Sequence, residues 1–205
     1  MNNWGSTGIT SMTLISSIIL MSASSSFIFE GSDDLEKNAE VAINDALNEI
    51  SNYLVIEEAI GKYYLKNNEK IIDRILIYVK QFITGLINIS ELKIKIINNN
   101  DLTILSYSGY SEKISSKPLF SHEIWSKTNN SFSVIVSCDE DCSIINYNFM
   151  NYDRCYLAIN LPESFAMKKG EKITISIIPS KGIISSIECK TPSLQISNIV
   201  NFIEI

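Results

Sequence analysis

The first charged residue of the chain is Glu30, so its first 29 residues carry no formal charge. Within residues 9–29, twelve positions are hydrophobic and the other nine are Ser or Thr. About 20 uncharged residues are enough to cross a bilayer as a helix. A secretory signal would begin with basic residues, and none precedes this stretch. Hydroxyl groups suit close helix–helix contact better than lipid, which predicts a helix that inserts transiently in a membrane and then packs against copies of itself.

The segment that follows is strongly acidic. The stretch from Glu30 to Glu58 contains nine acidic residues and one basic residue, Lys37, so its net charge is −8. Because the net charge of the whole chain is −6, the remaining residues carry a net charge of +2. Apolar residues recur at helical spacing from Leu35 to Leu54, which predicts one amphipathic helix over residues 6–66. Gly31-Ser32 predicts a kink near residues 31–33. A helix of this length needs partners from other chains.

After the turn residues Asn67-Asn68 the apolar period changes from 3.6 to 2. This pattern predicts an α+β protein whose residues 67–205 form an antiparallel, Ig-like β-sandwich or barrel. The predicted strands are 71–80, 92–96, 102–107, 132–137, 155–161, 172–178 and 183–189. The segment from Ser108 to Asn130, which contains the only histidine, His122, is interpreted as a long surface excursion.

Three stretches in the same order resemble archaellins, the archaeal flagellins. Residues 5–23 resemble the signal cleavage site and hydrophobic core helix of that family. Residues 73–80, 87–94 and 102–107 are similar to the first strands of its outer domain, and residues 171–182, 188–192 and 199–205 to its closing strands. Trp4 stands where the family usually has Lys or Arg, and the core helix is richer in Ser and Ile than is usual for the family.

The resemblance implies a structural subunit of the archaellum, an extracellular helical filament for swimming and surface attachment. A prepilin-type peptidase would cleave a leader of residues 1–5 between Gly5 and Ser6. The subunit would insert transiently in the membrane and be assembled by a platform and motor at the cell base. It would polymerise with many copies of itself, alone or with a second archaellin. The helix positions expected to pack in the filament core are Ile9, Met12, Ile15 and Ile19.

Two other functions fit the same plan of a helix followed by a β domain. The first is a type IV-like adhesive pilin or a minor filament subunit. The second is a membrane-anchored β-sandwich binding module, whose helix would stay in lipid. Helix-to-helix contacts among many copies would distinguish a filament subunit from a lone anchor.

Signs of enzymatic chemistry are scarce. One histidine and no cysteine–histidine spacing of the zinc type predict no metal centre, and no catalytic residue or cofactor is assigned. His122-Glu123 is interpreted as an exposed loop pair. The acidic balance and the lack of a Lys/Arg cluster argue against nucleic-acid binding. The run Asp139-Glu140-Asp141 offers oxygen ligands to a hard cation but is more typical of a solvated turn.

Two kinds of modification are predicted for the β domain. An extracellular location would allow the four cysteines to form two disulfides, for which three pairings exist; Cys138 with Cys142 and Cys155 with Cys189 are the interpretation preferred here. The sequons at Asn88 and Asn129 are candidate N-glycosylation sites, both in expected loops, and archaellins are commonly glycosylated.

Overall fold

The computed structural model of the chain describes residues 33–66, 68–83, 85–99, 101–193 and 197–203. The predicted leader, the core helix of residues 6–29 and the break at Gly31-Ser32 lie outside these ranges. The chain divides into two units, Met1–Ala46 and Leu47–Ile205. Within the described ranges, no helix has both the length and the apolar character needed to cross a membrane.

Helix α1, Asp33–Ser51, is the described part of the predicted long helix. Three of its large apolar side chains are exposed: Val41 by 53%, Ile43 by 44% and Leu47 by 54%. Tyr53 N–H donates to the Ile50 carbonyl just beyond the last helical residue. The helix therefore keeps apolar side chains in solvent, and two of them, Ile43 and Leu47, belong to the stripe expected from the sequence.

The rest of the described chain is mostly β-structure, which confirms the predicted β-rich domain. Eleven strands and one short helix follow α1 in the described ranges. The strands are β1 (Leu54–Lys66), β2 (Glu69–Gln81), β3 (Ile87–Asn88), β4 (Lys93–Ile97), β5 (Leu102–Lys113), β6 (Phe132–Cys138), β7 (Phe149–Met150), β8 (Arg154–Asn160), β9 (Lys172–Ile178), β10 (Ser185–Lys190) and β11 (Ile199–Asn201), with helix α2 (Ser143–Tyr147) between β6 and β7.

Nine of these strands form one curled sheet in the order β10-β9-β4-β5-β6-β8-β2-β1-β11. The first half of β5 pairs with β4, and its second half pairs with β6, so this long strand passes from one layer of the domain to the other. The β5–β6 pair is parallel, whereas the sequence predicted antiparallel pairing throughout. Residues 114–131 connect β5 to β6, and this long connection allows a parallel pair that a tight hairpin would forbid.

One core lies between the two layers. It joins apolar side chains of β4 and β9, such as Ile94 and Ile175, to those of β2, β6 and β8, such as Ile75, Val134 and Leu157. All five are fully buried. Burying a side chain of this size contributes about 1.5–3 kcal/mol each, so this shared core is what holds the curled sheet together.

The region from Ser108 to Asn130 is not the surface excursion that the sequence predicted. Strand β5 continues to Lys113, and two 3₁₀ turns, Leu119–Ser121 and Glu123–Ser126, cover the outer face of the sheet. There Phe120, Ile124 and Trp125 pack over Leu76, Ile135 and Ala158 in a second small core. Strands β2, β6 and β8 are therefore buried on both faces in this part, so their pattern does not alternate.

The predicted extension of the helix to residue 66 is wrong, because the helix ends at Ser51 and the β domain begins with β1 at Leu54 rather than at residue 67. Strand β1 forms a hairpin with β2 over its whole length. Asn68 takes a left-handed conformation with φ of 64°, as tight hairpin turns require. At Gly61 a Cβ would lie 2.9 Å from the Ile72 side chain and from the ring of Phe202, so this strand position needs a glycine.

Candidate functional site

Three carboxylates lie together at one edge of the β domain. Asp139 and Asp141 belong to the loop after β6, and Asp153 directly precedes β8. One oxygen from each lies within 4.8 Å of the others. Sequence reasoning noticed the first two and missed Asp153, since only the folded chain brings it to that loop.

Backbone and side-chain donors hold the three acids in place. Ser143 N donates to Asp141 Oδ1 at 2.9 Å. Asp153 Oδ2 accepts from Asn151 N at 2.7 Å and from the Ser143 hydroxyl at 3.2 Å. Oδ1 of Asp139 is buried and has no hydrogen-bond partner among the described residues, which is uncommon for a buried polar atom.

The surroundings move the pKa values of two of these acids in opposite directions. Burial raises the pKa of Asp153, which is only 4% exposed, and the nearby charge of Asp139 adds to that rise. Hydrogen bonds from Ser143, first from its side chain and then from its backbone, together with one from Asn151, lower the pKa of exposed Asp141 to about 2. The cluster therefore combines one carboxylate whose charge is disfavoured by burial, Asp153, with one whose charge is stabilised, Asp141. Such preformed oxygen ligands are those that a hard divalent cation such as Ca²⁺ binds.

The four cysteines are free thiols in the structure. Cys138 is exposed and Cys142 half-buried, at the two ends of the acidic loop. Cys155 and Cys189 are fully buried on β8 and β10, strands that are not neighbours in the sheet. Burial raises the pKa of the Cys189 thiol to about 12, and it also raises the pKa of the Cys155 thiol. The two disulfides therefore stay predictions.

The two sequons have different surroundings. Asn88 caps a 3₁₀ turn: its Oδ1 accepts from the Ser90 hydroxyl at 2.6 Å, and its Nδ2 donates to Glu91 at 2.9 Å. Asn129 is exposed between the 3₁₀ turns and β6. The amide nitrogen of Asn88 is thus already engaged, whereas Asn129 projects from a surface loop.

The interpretation of His122 as an exposed loop residue is wrong, because its side chain is buried. Its Nδ1 accepts from Ile124 N at 3.2 Å, and its Nε2 lies 3.2 Å from the Lys113 carbonyl. This pattern fits a neutral ring that carries its proton on Nε2. His122 therefore ties the 3₁₀ turns to the end of β5 and has a structural role.

The residues expected to be cleaved or to pack in a filament core, Gly5, Ser6, Ile9, Met12, Ile15 and Ile19, lie outside the described ranges. Their roles remain predictions. The structure does describe helix α1 and the β domain that follows it in the chain.

This plan, a helix leading into a curled and mostly antiparallel sheet, defines the class as a helix-plus-β-domain protein. No protein-family model and no curated protein match the sequence. Among solved structures, archaeal flagellin FlaB1 from Methanocaldococcus jannaschii is similar with a TM-score of 0.62 and 22% identity, over 72% of this chain and 94% of that one. The archaeal flagellum of Methanospirillum hungatei strain JF1 is similar with a TM-score of 0.52 and 11% identity, over 94% of this chain and 98% of that chain. The fold is archaellin-like.

Proposed function

We propose that this chain is a structural subunit of an archaellum, which polymerises through its N-terminal helix into an extracellular filament for motility and attachment. The observation that carries the proposal is the archaellin-like fold, shared with flagellin FlaB1 over 94% of that chain. A second observation supports the proposal: an uncharged segment of 29 residues precedes the described helix in the sequence. No enzymatic step is needed for this role.

The apolar side chains of α1 support assembly through the helix. Val41, Ile43 and Leu47 are each more than two-fifths exposed in the single chain. Burial of exposed apolar area against other copies would release free energy of about 25 cal/mol per Å². Head-to-tail contacts that do not close produce an open helical polymer, so one type of subunit is enough to build a filament.

Before assembly, the proposal includes cleavage between Gly5 and Ser6 by a prepilin-type peptidase and storage of the subunit in the membrane through residues 9–29. An apolar helix can leave the lipid only if another surface removes it from water. Packing of Ile9, Met12, Ile15 and Ile19 against other copies would supply that surface, and the platform and motor of the archaellum would drive the process.

The modifications belong to the same proposal. Asn129 is the better glycan acceptor because it is exposed, whereas the amide of Asn88 is held by Glu91. Intact-mass analysis of native filaments, with and without glycan removal, tests this; bare Asn129 would refute it. Comparison of the same mass with and without reduction tests the two disulfides, and four free thiols in native filaments would exclude them.

The function itself is tested by charge insertion in the predicted core. Ile15→Asp should abolish filaments on the cell surface, because a buried unpaired carboxylate is strongly unfavourable. Ile104→Asp is the matched control, since Ile104 is 55% exposed on the β domain. Filaments that persist with Ile15→Asp would contradict the proposal. If the wild-type chain were found only as single copies in the membrane, the binding-module alternative would be favoured. If it made up only a small fraction of the filament's subunits, the minor-subunit alternative would be favoured.

A further inference from the structure

A pocket of about 370 Å³ opens on the β domain beside the turn between β1 and β2. It is lined by Tyr63, Glu69, Lys70, Lys168 and Lys169. Three positive charges and one negative charge therefore surround it. The pocket is far from the acidic loop in sequence and shares no residue with it.

The lysines are held on a well-fixed loop. Met167 and Ile72 exchange two backbone hydrogen bonds of 2.9 Å, which fasten this loop to β2. The Lys168 carbonyl accepts from the Thr191 hydroxyl at 2.6 Å, and Lys168 N donates to Glu171 Oε2 at 2.8 Å. The backbone on one side of the pocket is therefore set before any ligand arrives.

Only one of the three lysines is neutralised within the described chain. Lys168 Nζ lies 2.7 Å from Glu69 Oε2. Lys70 and Lys169 are exposed, and no carboxylate of the described ranges lies within ion-pairing distance of either. The pocket thus keeps two positive charges available for an anion.

Tyr63 supplies a second sign of a missing partner. Its side chain is 6% exposed, and its hydroxyl is buried with no hydrogen-bond partner in the described chain. Buried polar groups nearly always have a partner. Tyr63 also lines the pocket with the two unpaired lysines, so its hydroxyl is one more donor on the pocket wall for a group that accepts hydrogen bonds.

The same chain carries the complementary charge. The segment Glu30–Glu58 has a net charge of −8. Two of its acids on α1, Glu40 and Asp45, are exposed, and neither forms an ion pair with a described residue. Complementary surface charge sets the register between partners and suppresses wrong ones.

We propose that the pocket of Tyr63, Lys70 and Lys169 binds a carboxylate from the acidic helix of a second copy of the chain. This inference rests on the proposed function, since a filament places many copies side by side. Each contact is weak because its lysines are exposed, but it recurs at every subunit. The contact would fix the register between neighbours while the apolar core supplies the bulk of the attraction.

Charge reversal tests this contact. The double variant Lys70→Glu/Lys169→Glu should lower the yield of pelleted filaments by about tenfold at low salt, because an attraction becomes a repulsion. Adding Glu40→Lys or Asp45→Lys in the same chain should restore the yield to within about threefold of wild type for the acid that enters the pocket. Lys70→Gln/Lys169→Gln, which only removes charge, should give an intermediate loss.

The control is Lys181→Glu/Lys190→Glu, which makes the same change in net charge at two other exposed lysines. Its yield should stay within about twofold of wild type. The inference is overturned if the control falls as far as the pocket variant, if the pocket variant assembles normally, or if neither helix substitution restores it. The midpoint of thermal unfolding of the β domain is measured in each full-length variant. It is expected to match wild type, which verifies that the variants fold. Wild-type chains that form no filament would instead overturn the proposed function, and this inference with it.

Discussion

The hydroxyl of Ser185 donates a hydrogen bond to the backbone carbonyl of Leu54. Ser185 is the first residue of β10, at one edge of the nine-stranded sheet, and Leu54 is the first residue of β1, next to the other edge. Both are buried. One side chain therefore bridges the two sides of the curled sheet, which no strand pairing of the described residues connects.

Removal of this bridge should weaken the β domain. Ser185→Ala leaves a buried carbonyl without its donor, and such a loss costs about 1–3 kcal/mol. The control is Ser186→Ala, since Ser186 is exposed and donates only to the Ser176 hydroxyl. Urea unfolding of both variants measures the difference. Equal stabilities would show that the bridge does not help to close the sheet.

His122 should be important for stability. His122→Ala leaves Ile124 N–H and the Lys113 carbonyl without their partner and opens a cavity, which together cost about 2–4 kcal/mol. Ser121→Ala, at the exposed neighbour, should change the free energy of unfolding by less than about 0.5 kcal/mol. Calorimetry of the two variants distinguishes them. If His122→Ala left the free energy of unfolding unchanged, the interpretation of His122 as an exposed loop residue would be restored.

The acidic cluster should respond to divalent cations. Addition of Ca²⁺ should raise the midpoint of thermal unfolding by about 5 °C at saturation, since binding to the folded state alone stabilises it. Asp153→Asn should remove this response. Its own stability without calcium should equal or exceed that of wild type, because it removes a carboxylate whose charge burial disfavours. A calcium response that survives in Asp153→Asn would contradict the site.

The two shifted acids of that cluster make opposite contributions to the pH dependence. The raised folded-state pKa of Asp153 means that its contribution to stability is present below its ordinary value of 3.8 and is lost as pH rises from there through the folded-state pKa. The pKa of Asp141, lowered to about 2, makes its contribution present above 3.8 and lost as pH falls towards 2. In the absence of cations, the free energy of unfolding of Asp153→Asn should therefore exceed that of wild type by the largest amount near neutral pH.

Thiol reactivity should follow burial. In the reduced and folded protein, iodoacetamide should modify Cys138 first and Cys142 more slowly. Cys155 and Cys189 should remain unmodified until the chain unfolds, because burial raises their pKa values and excludes the reagent. Peptide mass mapping after a timed reaction gives the order. Early modification of Cys155 would contradict the packing of β8.

Strands with a regular apolar pattern were predictable from the sequence. Residues 172–178 were predicted as a strand and form β9 with the same bounds, and residues 132–137 form all but the last residue of β6. Each is a short run rich in β-branched residues. Local pattern was sufficient there because neighbouring strands reinforce it.

Strand β1 was missed because its apolar residues satisfy two periods. Leu54, its first residue, continues the helical stripe of α1, and only pairing with β2 selects the extended form. The burial of His122 and the approach of Asp153 to Asp139 were equally hidden, since both depend on contacts made after the chain folds. Such contacts leave no signal in local spacing.

Electron cryomicroscopy of filaments sheared from the native cells, with the subunit identified by peptide mass, tests the central claim most directly. The expected result is a central bundle of helices built from residues 6–51 of many copies of this chain, surrounded by its β domains. The claim would be contradicted if this chain were absent from every surface filament and found only as single copies in the membrane.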